Sequence, residues 1–361
     1  MKIGLDAKRI FHNHSGLGNY SRNTLQILAS SQPDIHFHLY TPKIKVHEDV
    51  AFINCYKNID TKTPNSFVHK IFKFLWRPYF ILKQAQKDQI DIYHGLSNEL
   101  PFGLKSRSMK KIVTIHDLIF LRFPNQYKLF DRIVYNFKSK YACKHADKVI
   151  AISEQTKNDI VKFYHINPEK IEVIYQSCNP IFKQKATETY KQKIKQKYQL
   201  PDQFLLYVGS INERKNLITL LQSLRELPEQ ELIVVGRGKK YKDQCVNYIE
   251  QEQLSNRVHL LDVADNEELA ALYQLAYIMV YPSLFEGFGI PIIEALHSKT
   301  PVITSKGGCF PEAGGPHSIY IDPLNPKDIR DAVLKIQKNP KLRLEMIEKG
   351  YAHVQQFSED S

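Results

Sequence analysis

What this chain has little of narrows it first. Its five cysteines (Cys55, Cys143, Cys178, Cys245 and Cys309) are an odd number, widely spaced, with no C-x-x-C pair among them. That pattern excludes both a disulfide framework and a structural zinc site. No stretch approaches the roughly 18 apolar residues of a membrane-spanning helix. The start, MKIGLDAKRIF, lacks the apolar heart of a secretory signal and reads as a strand, so a cytoplasmic protein is expected. G-x-S-x-G, H-E-x-x-H and G-x-x-x-x-G-K-[ST] are all missing, which sets aside the hydrolase elbow, the zinc protease helix and the P-loop. Acids are short too, 38 against 50 lysines and arginines, for a net charge of +12. Such a chain attracts anions: nucleic acid, an anionic membrane or phosphorylated ligands. No acid cluster stands in a loop suited to hold a divalent metal on a diphosphate, so a site with no metal and no cofactor is expected.

What is present is an alternation. Short β-branched runs at 2–6, 35–40, 91–95, 111–117 and 148–153 are followed by a second series at 204–210, 231–236, 258–262, 277–283 and 300–305. Several are apolar on both faces, as parallel strands covered by helices must be. Helical patterns lie between them, among them 265–275 and 327–338. This is an α/β chain of two Rossmann-like, doubly wound domains. The first series ends near EVIYQSCNPIF, and a lysine-rich stretch, 183–199, precedes the second and reads as a solvated helix face. The division is expected at 1–178 and 179–345. Two such sheets would face a central cleft, because ligands bind at the carboxyl ends of parallel strands.

The chemistry gathers in YPSLFEGFGIPIIEAL, residues 281–296. A strand enters, glycines turn, and Pro291 suits the first position of a helix. The N–H groups of Gly289 and Ile290 at that helix start would suit a diphosphate. Glu294, one turn into the helix, can accept two hydrogen bonds from a ribose diol, or serve only as a first-turn acid that favours the dipole. Glu286, in the loop, can grip hydroxyls or lie in solvent. VGSINERKN puts Arg214 and Lys215 just past the second domain's first strand, where two cations would neutralise a diphosphate leaving group. Arg237, in a second basic turn, could face a base. In the first domain, HSGLGNYSRN offers Gly16 and Gly18 for close backbone approach, but not the full dinucleotide fingerprint, which argues against a dehydrogenase. His116 and Asp117 end another strand; Asp117 suits a helix cap equally well.

Glu286 and Glu294, with seven residues between them in FEGFGIPIIEA, resemble the paired-glutamate motif of retaining glycosyltransferases of the GT-B fold, and more narrowly the large bacterial family that includes mannosyltransferases of polysaccharide and lipid-glycan assembly. LDAKRIFHNHSGLGNYSRN, IHDLIFLRFPNQY, KVIAISEQTKNDI, VGSINERKN and the glutamate motif occur in that family's order. The resemblance implies a hexosyltransferase with a nucleotide-sugar donor, GDP-mannose or a UDP-sugar, and a glycan or lipid-linked acceptor. It implies that Arg214 and Lys215 hold the diphosphate, Glu294 the ribose and Glu286 the sugar, beside N–H groups of Gly287, Phe288 and Gly289. His116 would meet the sugar from the other domain, and Gly16 and Gly18 would border diphosphate and acceptor. A front-face substitution, with no enzyme nucleophile, is the mechanism it implies. Two departures stand out. Ser210 replaces an arginine that some relatives carry, and the chain stops at VQQFSEDS, so that 346–361 would be only the start of a helix crossing back to the first domain.

Two other functions compete. A nucleic-acid binder would show a basic stripe with interleaved aromatics, whereas here cations stand at strand ends beside acids. A nucleotide-sugar 2-epimerase of the same fold should need more acids and histidines in the first domain. One further segment, SFVHKIFKFLWRPYFILKQAQK at 66–87, interleaves aromatics with Lys70, Lys73 and Arg77. It fits a helix seated on an anionic membrane surface, and also an ordinary crossover helix.

Overall fold

Strands such as FLLYV and ELIVV carry no charge beyond one leading glutamate, and they fold into the middle of sheets where both faces are covered. In the computed structural model, which describes residues 1–13, 16–64, 76–103, 109–263 and 265–358, the chain divides into two units, Met1–Tyr175 and Gln176–Ser361.

The first unit holds a parallel sheet of β1 (Lys2–Asp6), β2 (His36–Tyr40), β3 (Ile59–Lys62), β4 (Ile92–Gly95), β5 (Lys110–Ile115), β6 (Lys148–Ala151) and β7 (Ile171–Val173), in the order β3-β2-β1-β4-β5-β6-β7. The second holds β8 (Phe204–Val208), β9 (Glu231–Val235), β10 (Val258–Leu261), β11 (Ile278–Tyr281), β12 (Val302–Ser305) and β13 (Ile319–Ile321), in the order β10-β9-β8-β11-β12-β13. Each sheet grows outward in one direction from its first strand and then in the other. The order therefore reverses at β1/β4 in the first sheet and at β8/β11 in the second. Helices diverge at such a reversal and leave a crevice at the carboxyl ends of the strands.

Leu205, Tyr207, Leu220, Leu221, Val280 and Ile303 are wholly buried in the second core. Tyr93, Val113, Ile115 and Val149 are wholly buried in the first. The lysine-rich stretch forms the helix Glu188–Tyr198, capped by Thr187 and burying only Ile194. β3, β7 and β13 are absent from the sequence expectation; IDTK, IEV and IYI are too short to show a period.

One helix, Pro340–Val354, runs straight through residue 345, where the sequence reading sets a boundary. Gly350 meets Leu296 there, with room for no Cβ, so this helix packs inside the second unit. Among the described residues, no helix is long and apolar enough to cross a membrane.

Candidate functional site

At the second sheet's reversal, β8 and β11 deliver two loops that are tied to each other. After β8 the backbone turns through Gly209 at φ 150°, and the Asn212 side chain accepts the Lys215 N–H at 3.2 Å to close a single turn. After β11 the Leu284 N–H donates to the Arg214 carbonyl at 2.8 Å. The Arg214 guanidinium in turn donates to the Phe285 carbonyl, and Asn216 Nδ2 donates to Pro282 O at 3.2 Å. The two loops form one rigid corner.

Three predicted residues meet there. Glu286 Oε1 lies 2.7 Å from an Arg214 nitrogen and 2.6 Å from Lys215 Nζ. The same oxygen accepts from Tyr281 OH at 3.1 Å and Ser283 Oγ at 2.5 Å. All three charged groups are largely buried, with side-chain exposures of 15%, 11% and 10% for Arg214, Lys215 and Glu286. Burial pushes the Glu286 carboxyl up, but Lys215 and Arg214 outweigh it and hold it down at about 2. Lys215 Nζ also donates to Tyr281 OH and lies 4.8 Å over that ring. The cations expected to hold a diphosphate are thus the counter-ions of the acid expected to hold the sugar. The corner has two positive charges and one negative, an anion-binding balance.

Glu294 stands apart from that knot. The helix Ile290–His297 begins after Gly289, whose φ of 118° a side chain would strain. Ile290 takes the first position and Pro291 the second, so Glu294 falls in the second turn, not the first as the sequence reading has it. The helix-dipole explanation of Glu294 loses its basis with that placement. No side chain caps this helix start. Glu294 accepts from Tyr273 OH at 3.0 Å. Burial raises its carboxyl to about 7, against the pull of that hydrogen bond and of Lys215. Phe288 is buried, its ring 5.3 Å from Phe357, and the Glu286 carbonyl accepts from Cys309 Sγ at 3.3 Å. Arg237, by contrast, is exposed and paired with Asp262 at 3.3 Å.

In the first unit, His116 follows β5 and is buried. Its Nε2 lies 2.9 Å from the Leu96 carbonyl, which can only accept, so Nε2 carries the proton and Nδ1 is an acceptor. The ring stands edge-on to Tyr20 at 4.7 Å. Burial lowers it to about 4, against the Leu96 bond, so the imidazole is neutral near pH 7. Asp117 accepts the Ile119 N–H at 3.1 Å, a helix-entry role. Gly16 opens the helix Gly16–Ser31. Gly18 is demanded by the chain itself: a Cβ there would meet the Asn13 carbonyl oxygen at 1.8 Å, and its N–H donates to Asn13 Oδ1 at 3.1 Å.

The membrane segment needs correction. Lys70 and Lys73 lie outside the described residues. Arg77, read as part of a basic outer face, is instead drawn inward, 2.7 Å from both Asp6 and Glu99. Trp76 beside it is buried.

Sequence reasoning missed Tyr281 and Ser283, although both lie in the quoted motif, because neither residue type announces a carboxylate partner. Tyr273 sits on another helix, Asn266–Leu275, and nothing local links it to Glu294. Among the described residues, no group of three or more histidines, cysteines and acids could hold a metal ion.

Two family models match in tandem. The Glycosyltransferase Family 4 model covers residues 14–180, and the Glycosyl transferases group 1 model covers residues 190–353. O-antigen chain mannosyltransferase B of Escherichia coli is 26% identical over 379 residues, 99% of this chain and 96% of that protein. O-antigen chain mannosyltransferase RfbU of Salmonella typhimurium is 30% identical over 229 residues, 63% of this chain and 61% of that one. In fold, the chain matches HepE of Anabaena, solved in complex with UDP-glucose, with a TM-score of 0.75 at 16% identity over 99% of this chain and 96% of the other.

Proposed function

The chain belongs to the GT-B glycosyltransferases, and on that premise we propose that it transfers a hexose, mannose by preference, from a nucleoside-diphosphate sugar to a glycan or lipid-linked glycan, with retention of anomeric configuration. The observation that carries the reading is the corner at the β8/β11 reversal, where Arg214 and Lys215 converge on Glu286.

Each residue then has a task its chemistry supports. A donor diphosphate shares Arg214 and Lys215 with Glu286, and as the leaving group gains charge the two cations stabilise it. Glu286 stays ionised throughout, since its partners hold it far below neutral pH. Its four contacts all fall on Oε1, which suits Oε2 to accept sugar hydroxyls. Glu294, once ionised, accepts from the ribose diol. His116, held neutral by burial, does no acid–base work near pH 7. The acceptor hydroxyl attacks from the face the diphosphate leaves, its proton passing to a phosphate oxygen, and no side chain is assigned as nucleophile. Mannose as the sugar rests on likeness to the O-antigen mannosyltransferases; GDP is the carrier proposed for it, and UDP-glucose is the rival donor.

Release of nucleoside diphosphate from GDP-mannose and UDP-glucose, measured with and without a lipid-linked glycan acceptor, tests the reading. Acceptor-dependent release supports it, and acceptor-independent epimerisation of the sugar contradicts it. The reaction is expected to proceed unchanged in excess EDTA. Complete loss of activity, restored by Mg²⁺ or Mn²⁺, would overturn the metal-free proposal.

A further inference from the structure

The first unit has a crevice of its own that none of these roles uses. A cavity of about 510 Å³ opens at the first sheet's reversal, bounded by Asp6 at the end of β1, Lys43 beyond β2 and Glu99 beyond β4. That is where an open parallel sheet binds its ligand. Its charged wall contains a locked set and a loose one. Arg77 bridges Asp6 and Glu99 at 2.7 Å each, and Lys138 reaches Glu99 at 3.2 Å. Two acids and two cations cancel. Lys8 and Lys43 line the same cavity, and neither ammonium has an ion-pair partner among the described residues. The cavity is left with a surplus of two positive charges. Desolvation, with Arg77 adding to it, pulls Lys8 below its ordinary range, a strain that an anion would relieve.

The other wall is apolar and continues out of the cavity. Tyr79 and Phe102 line it, their ring centroids 5.6 Å apart, and Phe102 lies 5.6 Å from Phe137. Phe137 belongs to the helix Leu129–His145. Ile133 and Phe130 precede it by four and seven residues, so all three share one face. That face is bare: Phe130 is 75% exposed, Ile133 57% and Phe137 61%. Isolated apolar residues on a surface are ordinary, but a row of aromatics leading away from a cationic cavity has the shape of an amphiphile.

We propose that the cavity and this row bind an anionic amphiphile, a phosphate or diphosphate ester seated against Lys8 and Lys43 with its hydrocarbon chain along Phe102, Phe137 and Ile133. In a glycosyltransferase such a molecule is the carrier of the acceptor glycan. That role rests on the proposed function; the binding itself does not.

Calorimetric titration of the intact protein with octyl phosphate, octyl glucoside and inorganic phosphate, each below any micelle threshold, tests it. Octyl phosphate should bind at least about tenfold more tightly than either of the others, a difference of about 1.4 kcal/mol. Lys8→Gln with Lys43→Gln should remove that advantage, and Lys8→Arg with Lys43→Arg should keep it. Phe102→Ala with Phe137→Ala should lower octyl phosphate to the level of inorganic phosphate. Equal binding of octyl phosphate and octyl glucoside, or octyl phosphate binding indifferent to the double glutamine variant, would overturn the proposal. Vesicles containing phosphatidylglycerol distinguish the sources. Lysine-dependent vesicle binding assigns the site to a bilayer headgroup, and octyl phosphate binding without it assigns the site to a single carrier lipid; both uphold the anionic amphiphile. A protein that binds octyl phosphate and neither GDP-mannose nor UDP-glucose would sink the transferase reading while leaving this site standing.

Discussion

The two sheets reverse in the same way and fill their reversals with opposite arrangements of charge. In the second unit, two cations surround one acid, and Glu286 is the pinned group. In the first, Arg77 is the pinned group, held between Asp6 and Glu99. One architecture therefore yields a corner that keeps one positive charge after Glu286 is matched and a corner whose buried arginine is consumed by structure. The lesson is that a strand-end cation is not by itself an anion site. What matters is the charge left over after the buried partners are matched, and among the described residues lining the first unit's cavity Lys8 and Lys43 supply it.

The comparison can be broken most severely at Arg77. Arg77→Ala leaves Asp6 buried without a counter-ion and Glu99 with Lys138 alone, and a loss of about 3–5 kcal/mol in unfolding free energy is expected, read by denaturant titration, with little change in donor affinity for the folded fraction. Glu286→Ala should do nearly the reverse. Transfer is expected to fall by about 100- to 1,000-fold, the scale seen when a group aimed at the transition state is removed. Donor affinity should hold or rise, because two cations lose their competitor; steady-state kinetics beside a binding titration separates the two effects. Lys215→Ala should weaken nucleotide-sugar binding by about 10- to 100-fold, the range of a hydrogen bond to a charged group.

The smallest expected effect sharpens the contrast between the paired glutamates. Glu294 is raised from 4.5 to about 7, so between those values the folded chain keeps a proton that the unfolded chain has lost. Its contribution to stability therefore declines as pH rises across that window. Glu286, lowered from 4.5 to about 2, contributes stability above its ordinary range and loses it as pH falls toward 2. If Glu294 grips the ribose as a carboxylate, GDP-mannose affinity should rise as pH increases through about 7, by about tenfold at most. Glu294→Gln should flatten that profile, and a titration series from pH 6 to 8 reads it.

Much of this was legible in the residues. Ten strands are placed within a few residues because parallel strands buried on both faces leave long apolar runs. The pairing of Glu286 with Arg214 and Lys215 was not legible, because 71 residues separate Arg214 from its partner loop and only the reversal of strand order joins them. Arg77 misleads for a related reason. Its neighbours Trp76 and Tyr79 suggest an interfacial helix, while its partners lie at the ends of β1 and β4. Glu294 slips into the second turn because the helix starts at Ile290, one residue before Pro291. His116 was expected at a strand end facing ligand; its hydrogen bond to Leu96 depends on the loop after β4, which no local pattern shows.

The measurement that bears most directly on the central claim is a thermal unfolding series with GDP-mannose and UDP-glucose on three proteins: the native chain, Lys215→Ala, and the Lys8→Gln, Lys43→Gln pair. A ligand that binds only the folded state raises the unfolding midpoint. The expected result is a shift by one of the two nucleotide sugars in the native chain, retained by the double glutamine variant and abolished in Lys215→Ala. A shift retained in Lys215→Ala and lost in the double variant would move the donor site to the first unit and contradict the assignment.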